Sequence, residues 1–380
     1  MDFGLTTEQA EMLRSIDGMM RRVFPPEMVR KFDQAHEYPA HLLPAFAELG
    51  LLGVAFPERY GGLNGDWRTV VLIQERLGYH AAIAASLYSI TVDFGGMALM
   101  KYGTEDQRRR LLPDLIAGKL QFSLALTEPQ AGTDAAALRS SATRSNDGWR
   151  INGRKTWISG ADSSAYLVTA CRTVKGSVGR DGISILLVPR DAPGIHMTQL
   201  PKVGNNSLLS WDIGFDDVQV GSDALMGVEG DGFRALMSTL MYSRSGQAAN
   251  AVGQGQAVVD LALRHVKERE QFGAPLAQFQ VLRHRLVDMQ TRVDQARLTL
   301  YHLAWLIDQE RRCRRESAQA KIVASEMLRD VAQAGMQILA SAGYAAESDM
   351  NRFWRDSALY TFGEGTNEML RDLVAREMGL

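Results

Sequence analysis

The feature that most constrains this chain is a double change in the period of its hydrophobic residues along 380 positions. Residues 1 to about 122 read as helical, with few β-branched runs, and a helical period returns from about 232 onward. Between these regions the period shortens towards two, which is typical of strands. We therefore predict an α+β chain, mostly α, with an N-terminal helical domain (1–122), a central β-domain (123–231) and a C-terminal helical bundle (232–380).

Helix signals occur in both outer regions. Thr6 and Thr104 each precede a periodic segment, which predicts that their hydroxyls cap the following helices. Residues 39–55 read as a helix that ends at a glycine-rich stretch. Apolar residues recur at alternating gaps of four and three from Leu282 to Ile307, which predicts a bundle seam used as core or subunit interface.

Strand signals occur in the central region. Asn152-Gly153 stands between two alternating segments, a pattern that predicts a hairpin turn. Further strands are predicted over 166–172, 183–189 and 211–220.

Composition narrows the class of protein. Hydrophobic residues make up 46% and charged residues 23%, which is typical of a soluble globular chain. The formal net charge of −2 supplies no global field for nucleic acid or anionic membrane, so we expect neither as a partner. We expect that no apolar run approaches the roughly 20 residues that a membrane span needs, and we therefore expect no span.

The two cysteines, Cys171 and Cys313, are far apart and form no CxxC pair, which argues against a disulfide framework or a thiolate metal site. The seven histidines show no ligand spacing, so no metal is expected. The N-terminus lacks a basic segment followed by an apolar core, and we expect a cytoplasmic protein.

A carboxylate between two glycines marks the C-terminal region. Glu364 lies between Gly363 and Gly365 in Phe-Gly-Glu-Gly-Thr, and glycines let backbone approach a ligand closely. Such a carboxylate suits a base that removes a proton from carbon, although an isolated Gly-Glu-Gly is also typical of a charged loop tip.

Three further segments carry polar and aromatic groups that suit a cofactor. Residues 125–134 form a turn whose hydroxyls and backbone N–H groups can bind a polar ring or a phosphate. The alternative interpretation is a plain surface turn. Trp157 and Ser159 end a strand with an aromatic face and a hydroxyl, where a core tryptophan is the alternative. Residues 267–282 place an arginine, an aromatic and two amides around a Gly-x-Pro turn, a set that can bind pyrophosphate and adenine.

In this order and spacing, the segments resemble the acyl-CoA dehydrogenase family. The resemblance runs from Phe3 to the C-terminus and rests on five motifs: Leu-Thr-Glu-Pro-x-Ala-Gly-Thr-Asp at 126–134, Lys-x-Trp-Ile-Ser at 155–159, Arg-x-Gln-Phe-Gly at 269–273, Gln-x-Leu-x-x-x-Gly-Tyr at 337–344 and the Arg-Asp to Glu-Gly-Thr segment at 355–366. It implies a helical N-terminal domain, a β-barrel-like middle domain and a C-terminal four-helix bundle, assembled as a homotetramer in fatty acid metabolism.

The resemblance also implies that FAD binds between the β-domain and the bundle. The residues it places near the isoalloxazine or the pantetheine are Leu126, Thr127, Gly132, Thr133, Trp157 and Ser159. Those it places at the ADP half, partly from a neighbouring subunit, are Arg269, Phe272, Gln280, Gln337, Ala340 and Ser341, with Thr366 and Glu368 approaching the same cofactor. Those it places at the substrate are Thr133, Ser243, Arg244, Gly363 and Gly365.

The implied reaction is α,β-dehydrogenation of an acyl thioester such as acyl-CoA. Glu364 matches the family's base and takes the α-proton, while a hydride leaves the β-carbon for flavin N5. The Glu364 backbone N–H and a flavin ribityl hydroxyl polarise the thioester carbonyl by the same analogy. Some members place the base just before the Arg244 position, where this chain has Ser243, which cannot serve. Electrons then pass to an electron-transfer flavoprotein.

Four departures from the family pattern bear on the site. Gly363 replaces a bulky residue, which either opens space for a branched or bulky acyl group or is compensated by Phe362 or Tyr360. Ala340-Ser341 replaces the usual Gly-Gly of the ADP turn, and Gly160 and Asn205-Asn206 stand where asparagine and arginine are common.

Other functions remain open at this point. A dehydrogenase of acyl groups on a carrier protein has the same fold and motifs. An oxidase is less expected because such proteins usually carry an extra C-terminal domain. A non-catalytic partner subunit of a heteromer conflicts with the retained Glu364 and flavin motifs.

Overall fold

The computed structural model describes residues 4–145 and 147–380. The N-terminal region is helical, as predicted, and both threonine caps form: Thr6 and Thr104 each accept a hydrogen bond from the third residue of their helix in a reciprocal capping box. Its helices are α1 (Thr7–Val23), α2 (Pro26–Ala35), α3 (Leu42–Glu48), α4 (Trp67–His80), α5 (Ala82–Ser89), α6 (Met97–Tyr102) and α7 (Glu105–Ile116).

The helix predicted over 39–55 is wrong in its limits. Only α3 is α-helical there, and a separate 3₁₀ turn covers Leu51–Gly53. Gly50 between them has a φ of 69°, a left-handed conformation that ends a helix and that glycine adopts without strain.

A π-helical segment, Ile90–Gly96, joins α5 to α6, so that Ala82–Tyr102 is one continuous helix. This helix is long and apolar enough to cross a membrane by length and composition alone, so the expectation that no such run exists was wrong. However, 83% of its most apolar window is buried inside the fold, as in the core helix of a soluble protein. π-Helical segments inside α-helices are frequent at functional sites.

The central region forms one eight-stranded sheet in the order β6-β7-β3-β2-β4-β5-β8, with β1 paired in parallel to β4. The strands are β1 (Phe122–Ala125), β2 (Ser141–Ser145), β3 (Gly148–Ser159), β4 (Tyr166–Arg172), β5 (Ile183–Pro189), β6 (Ile195–Leu200), β7 (Ser210–Gly221) and β8 (Leu225–Met226). Alternate residues of β4 and β5 pack into two different cores, one shared with the helices and one inside the β-domain.

The hairpin predicted at Asn152-Gly153 is wrong. Both residues lie inside the continuous strand β3, where the register with β7 shifts between Ile151 and Gly153. The Asn152 side chain exchanges two hydrogen bonds with Asp217 on β7, and a Cβ at Gly153 would lie 2.3 Å from Ser140 Oγ. Asn-Gly therefore forms a bulge that lets another strand approach closely, instead of a turn.

The C-terminal region is a helical bundle built on the 37-residue helix α8 (Gly232–Glu268), which ends in a two-stranded ribbon, β9 (Glu270–Gln271) and β10 (Ala274–Pro275). The remaining helices are α9 (Gln280–Asp308), α10 (Arg314–Leu339), α11 (Ser341–Tyr344), α12 (Asp349–Ser357) and α13 (Asn367–Glu377).

The predicted seam of α9 is buried from Met289 to Ile307, whereas Leu282 and Leu286 are half-buried. One hydrophobic core is continuous from the N-terminal helices through α8, α9 and α10. The domain limits of 1–122, 123–231 and 232–380 stay our proposal.

Candidate active site

Glu364 stands in a left-handed backbone conformation next to a helix start. It follows the 3₁₀ turn Ala358–Thr361 and precedes α13, whose N-terminus is capped by the Thr366 hydroxyl at 3.3 Å from Met369 N. The φ of Glu364 is 56° and that of Gly365 is 100°. A non-glycine residue in this region is uncommon, and such strained residues cluster at functional sites.

The carboxyl of Glu364 is poised between its two protonation states at neutral pH. Burial raises its pKa to about 7, while the Ser243 hydroxyl and the charges of Arg244 and Lys321 lower it. Its Oε2 atom is shielded from solvent and has no hydrogen-bond partner among the residues that the structure describes. A carboxylate with a pKa near the working pH and a free oxygen is suited to general base catalysis.

Ser243 and Arg244 reach Glu364 from α8. Both residues are buried, and within residues 4–145 and 147–380 the Arg244 Nε atom has no hydrogen-bond partner. Burial lowers the pKa of Arg244, and the neighbouring charge of Glu364 opposes that effect. The structure therefore brings Glu364 together with Ser243 and Arg244, two residues that the family resemblance assigned to the substrate.

A second buried carboxyl, Asp93, lies on the π-helical segment near Glu364. Its Oδ2 accepts hydrogen bonds from Gln74 Nε2 at 2.6 Å and Ser89 Oγ at 2.7 Å. Burial raises the pKa of Asp93 well above its usual range, and the charge of Glu364 raises it further. A Cβ at Gly246 would lie 2.0 Å from Asp93 Oδ2, so glycine lets α8 approach this carboxyl closely.

The space beside Gly363 is filled by Gln247 and by main chain. A Cβ at Gly363 would lie 2.9 Å from Gln247 Nε2 and 3.2 Å from the Leu359 carbonyl oxygen. Phe362 is 56% exposed, and the buried Tyr360 points its hydroxyl at Gln254 Nε2, 2.7 Å away. The side chain that takes up room next to Gly363 is therefore Gln247, which the sequence analysis did not consider.

The predicted flavin residues meet at the end of β3. Thr156 N donates to the Thr127 carbonyl at 2.9 Å, which holds the segment that carries Leu126 and Thr127 against this strand. Trp157 is 56% exposed and has a φ of 59°, at the register shift between Lys155 and Ile158. The bulge turns the indole outward, where a flat ring can stack on it.

The same strand end is supported from below by a buried ion pair. Lys155 Nζ donates to Glu128 Oε1 at 2.8 Å and to the Leu126 carbonyl at 3.1 Å. Glu128 also accepts from the backbone N–H groups of Arg139 and Ser140 at 2.6 and 2.9 Å. These bonds fix the turn 126–138, on which Gly132 and Thr133 are exposed.

The residues assigned to the ADP half lie on two separate exposed turns. Arg269, Phe272 and Gln280 surround the β9-β10 ribbon between α8 and α9, and Phe272 is 96% exposed. The second set, Gln337, Ala340 and Ser341, lies at the exposed junction of α10 and α11, where Ala340 has a φ of 51°.

Thr366 and Glu368 lie at the start of α13, where helix-dipole and backbone N–H groups favour anions. The residues assigned to the cofactor thus offer an exposed aromatic face, five side-chain hydroxyls, an arginine and a helix N-terminus. This donor set fits a flavin dinucleotide. In the part of the chain that the structure describes, no group of three or more metal-ligating side chains occurs.

Comparison with known proteins decides the family. Three family models match the chain: acyl-CoA dehydrogenase N-terminal domain at 6–119, middle domain at 123–218 and C-terminal domain at 230–379. This chain belongs to the acyl-CoA dehydrogenase family. Acyl-CoA dehydrogenases are FAD-binding flavoproteins, and the protein is accordingly an oxidoreductase of this family.

Relatives of this acyl-CoA dehydrogenase family member cover its whole length. A probable acyl-CoA dehydrogenase of Bacillus subtilis, YngJ, is 36% identical over 100% of both chains. The subunit CarC of the caffeyl-CoA reductase–Etf complex of Acetobacterium woodii is 31% identical, over 97% of this chain and 98% of its own. The solved structure of butyryl-CoA dehydrogenase from Megasphaera elsdenii superposes with a TM-score of 0.96 at 31% identity, over 100% of both chains.

Several residues of the site escaped the sequence analysis, among them Asp93, Gln247 and Lys321. Two of them carry a signal that was available: Asp93 is the lone acid in an apolar run, and Lys321 interrupts the small and apolar face of α10. A charged residue at a core position needs a partner, and that requirement marks it for attention.

Proposed function

We propose that this chain catalyses FAD-dependent α,β-dehydrogenation of an acyl thioester, with Glu364 as the base that removes the α-proton. The observation that carries the proposal is the state of the Glu364 carboxyl: its pKa is about 7, and its Oε2 atom is shielded from solvent with no hydrogen-bond partner among the residues that the structure describes. A shielded carboxyl oxygen next to two cations can accept a proton without first losing a hydrogen bond.

The residues around Glu364 divide the remaining work. Arg244 and Lys321 keep the pKa of Glu364 from rising as far as burial alone would raise it, so that a usable fraction is ionised near neutrality. The Glu364 backbone N–H is proposed to polarise the thioester carbonyl. When bound, FAD supplies the acceptor for the β-hydride. Gly363 and Gly365 let the thioester approach the backbone closely.

We propose that the isoalloxazine lies against Trp157, with Leu126, Thr127 and Ser159 at its edge and Gly132 and Thr133 towards the pantetheine. The ADP half is proposed to bind between the two exposed turns, one from each of two subunits of a homotetramer. The exposure of Arg269, Phe272 and Gln280 on one turn, and of Gln337, Ala340 and Ser341 on the other, supports a site completed by a neighbour. Thr366 and Glu368 approach the same cofactor.

We further propose a cytoplasmic enzyme of acyl-thioester metabolism, including that of fatty acids, with an electron-transfer flavoprotein as electron acceptor. Both cysteines are free and buried, which agrees with a reducing compartment. The similarity to CarC, a subunit of a caffeyl-CoA reductase–Etf complex, supports the acceptor and shows that relatives include reductases. The direction of reaction is therefore part of what the assay has to measure.

Two alternatives stay distinct from the proposal. A dehydrogenase of carrier-protein-bound acyl groups would use the same Glu364 and flavin residues, and would be inactive or slow with free CoA thioesters. A non-catalytic partner subunit would purify without flavin and would not take it up.

The test is a panel of acyl-CoA thioesters assayed with a dye acceptor on purified protein whose cofactor has been extracted and identified. We expect FAD and dye reduction with at least one thioester. Recovery of FMN, or of no flavin after attempted FAD reconstitution, contradicts the proposal. Activity only with carrier-bound thioesters would show that the substrate is an acyl group on a carrier protein, with the same proposed mechanism.

A further inference from the structure

Lys321 is a fully buried cation on α10 whose charge acts on Glu364 and whose hydrogen bonds the chemistry described so far does not use. Its side chain has no exposed surface. A buried lysine is costly unless its charge and its three N–H groups are matched by partners. The hydrogen-bond partners of Lys321 therefore indicate which part of the fold this lysine holds in place.

Those partners belong to the segment that carries Glu364. Lys321 Nζ donates to the Gly365 carbonyl at 2.9 Å and to Asn367 Oδ1 at 2.9 Å. Gly365 directly follows Glu364, and Asn367 opens α13. The lysine thus ties the residue after Glu364 to the first residue of the next helix.

Asn367 is itself held on α10. Its Nδ2 donates to Ser325 Oγ at 3.0 Å and to Glu326 Oε1 at 3.3 Å, and the side chain is 2% exposed. Lys321 and Ser325, one turn apart on α10, therefore both hold the Gly365–Asn367 segment by hydrogen bonds. Glu364 has a left-handed φ, a strained conformation that persists only where the surrounding structure holds it, and the peptide that directly follows it is the one that Lys321 binds.

We propose that Lys321 is a positioning residue for Glu364: it fixes the Gly365 peptide that aims the carboxylate and places a positive charge beside it. This inference rests on the proposed role of Glu364 as base. Lys321 does not touch the reacting carbon atoms and acts only through the Glu364 segment.

The charge of Lys321 supports this role. Burial lowers the pKa of Lys321 to about 8, and the charge of Glu364 raises it, so the amine is mostly protonated at neutral pH. Other charged groups that act on Lys321 are Arg244 on α8, Glu368 on α13 and Glu326 on α10. Glu364 itself faces Ser243 and Arg244 on α8, Lys321 on α10 and the buried Asp93 carboxyl.

Three substitutions separate charge from hydrogen bonding. K321M removes both, K321Q keeps a donor for the Gly365 carbonyl without charge, and K321R keeps the charge. Loss of an opposite charge beside a carboxylate raises its pKa by about 1 pH unit or more. Since Glu364 must be ionised in the free enzyme, the acid limb of kcat/KM moves to higher pH in K321M and K321Q, and returns towards wild type in K321R.

A second readout does not depend on turnover. Hydrogen–deuterium exchange of a peptide covering residues 361–370 is expected to speed up most in K321M and less in K321Q, because the latter keeps a donor. K202M is the matched control: Lys202 also donates to two main-chain carbonyls, those of Gly204 and Asn205, and burial lowers its pKa to about 8. That variant is expected to leave the acid limb and the 361–370 exchange in place.

The outcomes are distinguishable. An acid limb at the wild-type pH in both K321M and K321Q overturns the inference, and K321Q alone decides it if K321M does not fold. If the acid limb persists unchanged in Glu364→Gln, Glu364 is not the base, and the proposed function fails together with the inference. If the limb vanishes in Glu364→Gln but does not move in the Lys321 variants, only the inference fails.

Discussion

Asp93, on the π-helical segment, and Glu364, just before α13, are two carboxyl groups of one site that interact through their charges. Burial raises the pKa of Asp93 well above its usual range, and the charge of Glu364 raises it further. A negative charge on Glu364 therefore favours the protonated form of Asp93, which gains its own charge at a higher pH than a free carboxyl does.

This relationship predicts a pH-dependent stability. A carboxyl whose pKa is raised in the folded state stabilises the protein fully below its unfolded pKa, which is about 3.9 for Asp, and that contribution declines as pH rises. Asp93→Asn keeps the shape and does not titrate. We expect the free energy of unfolding of Asp93→Asn to increase relative to that of wild type as pH rises from about 4 to 8.

Urea unfolding at several pH values measures this difference. Asp216→Asn, at an exposed position on β7, is the control and should track wild type at every pH. A constant difference between Asp93→Asn and wild type would show that Asp93 is already ionised in the native protein.

The buried ion pair between Lys155 and Glu128, near the end of β3, predicts a large loss of stability when Lys155 is truncated. Burial acts to raise the pKa of Glu128, but the charge and hydrogen bond of Lys155 prevail and lower it to about 2. Lys155→Met leaves that carboxylate buried without its cation, which costs about 3–5 kcal/mol. We expect a lower urea midpoint and weaker FAD retention, because the turn that carries Leu126 loses its anchor.

Its pH dependence has the opposite sign to that of Asp93. With a lowered folded pKa, Glu128 stabilises the protein above its unfolded pKa, and this contribution is lost as pH falls towards about 2. Arg154→Ala removes the neighbouring exposed pair with Asp212 and should change stability little. Equal effects of the two variants would contradict the role of Lys155.

Arg269 is predicted to bind FAD pyrophosphate across a subunit boundary. Charge-assisted hydrogen bonds contribute roughly 1.5–3 kcal/mol each, so Arg269→Ala should weaken FAD binding by about 10-fold or more. Arg264→Ala, at an exposed position in the last turns of α8, is the control. The test is to remove FAD from both variants and from wild type and to measure the affinity for added FAD. An unchanged affinity in Arg269→Ala would contradict the assignment of Arg269 to the pyrophosphate.

The wall beside Gly363 is predicted to be set by Gln247. Gly363→Tyr must displace the Gln247 amide, which lies 2.9 Å from the position of the new Cβ. We expect kcat/KM to fall more for branched or bulky acyl thioesters than for short straight ones, whereas Gln247→Ala should favour bulky ones. An unchanged substrate ranking in both variants places the limit of the pocket elsewhere.

The sequence predicted most of the fold because its signals are local. The strands at 166–172 and 183–189 appear with those limits, since each is a short, mostly apolar run bounded by polar or turn residues. Asn152-Gly153 misled because the same dipeptide suits a turn and a bulge, and only contacts with Asp217 and Ser140 select the bulge. The continuous helix Ala82–Tyr102 was missed because Asp93 and two glycines interrupt its apolar pattern.

The candidate site was predicted in part. Glu364 stood out because glycines on both sides of a carboxylate are a local pattern. Gln247 and Lys321 were not found, since their relation to Glu364 depends on how α8 and α10 pack around the segment 363–367. Such contacts between distant parts of a chain leave no periodic signal.

Replacement of Glu364 tests the central claim most directly. Glu364→Gln keeps the size of the side chain but cannot accept the α-proton, and it should still bind FAD and acyl thioester. Positioned acid–base groups contribute on the order of 10²–10⁴ in rate. We expect stopped-flow bleaching of the flavin by a good acyl-CoA substrate to slow by at least 10²-fold relative to wild type. Bleaching at the wild-type rate would falsify the assignment of Glu364 as the catalytic base.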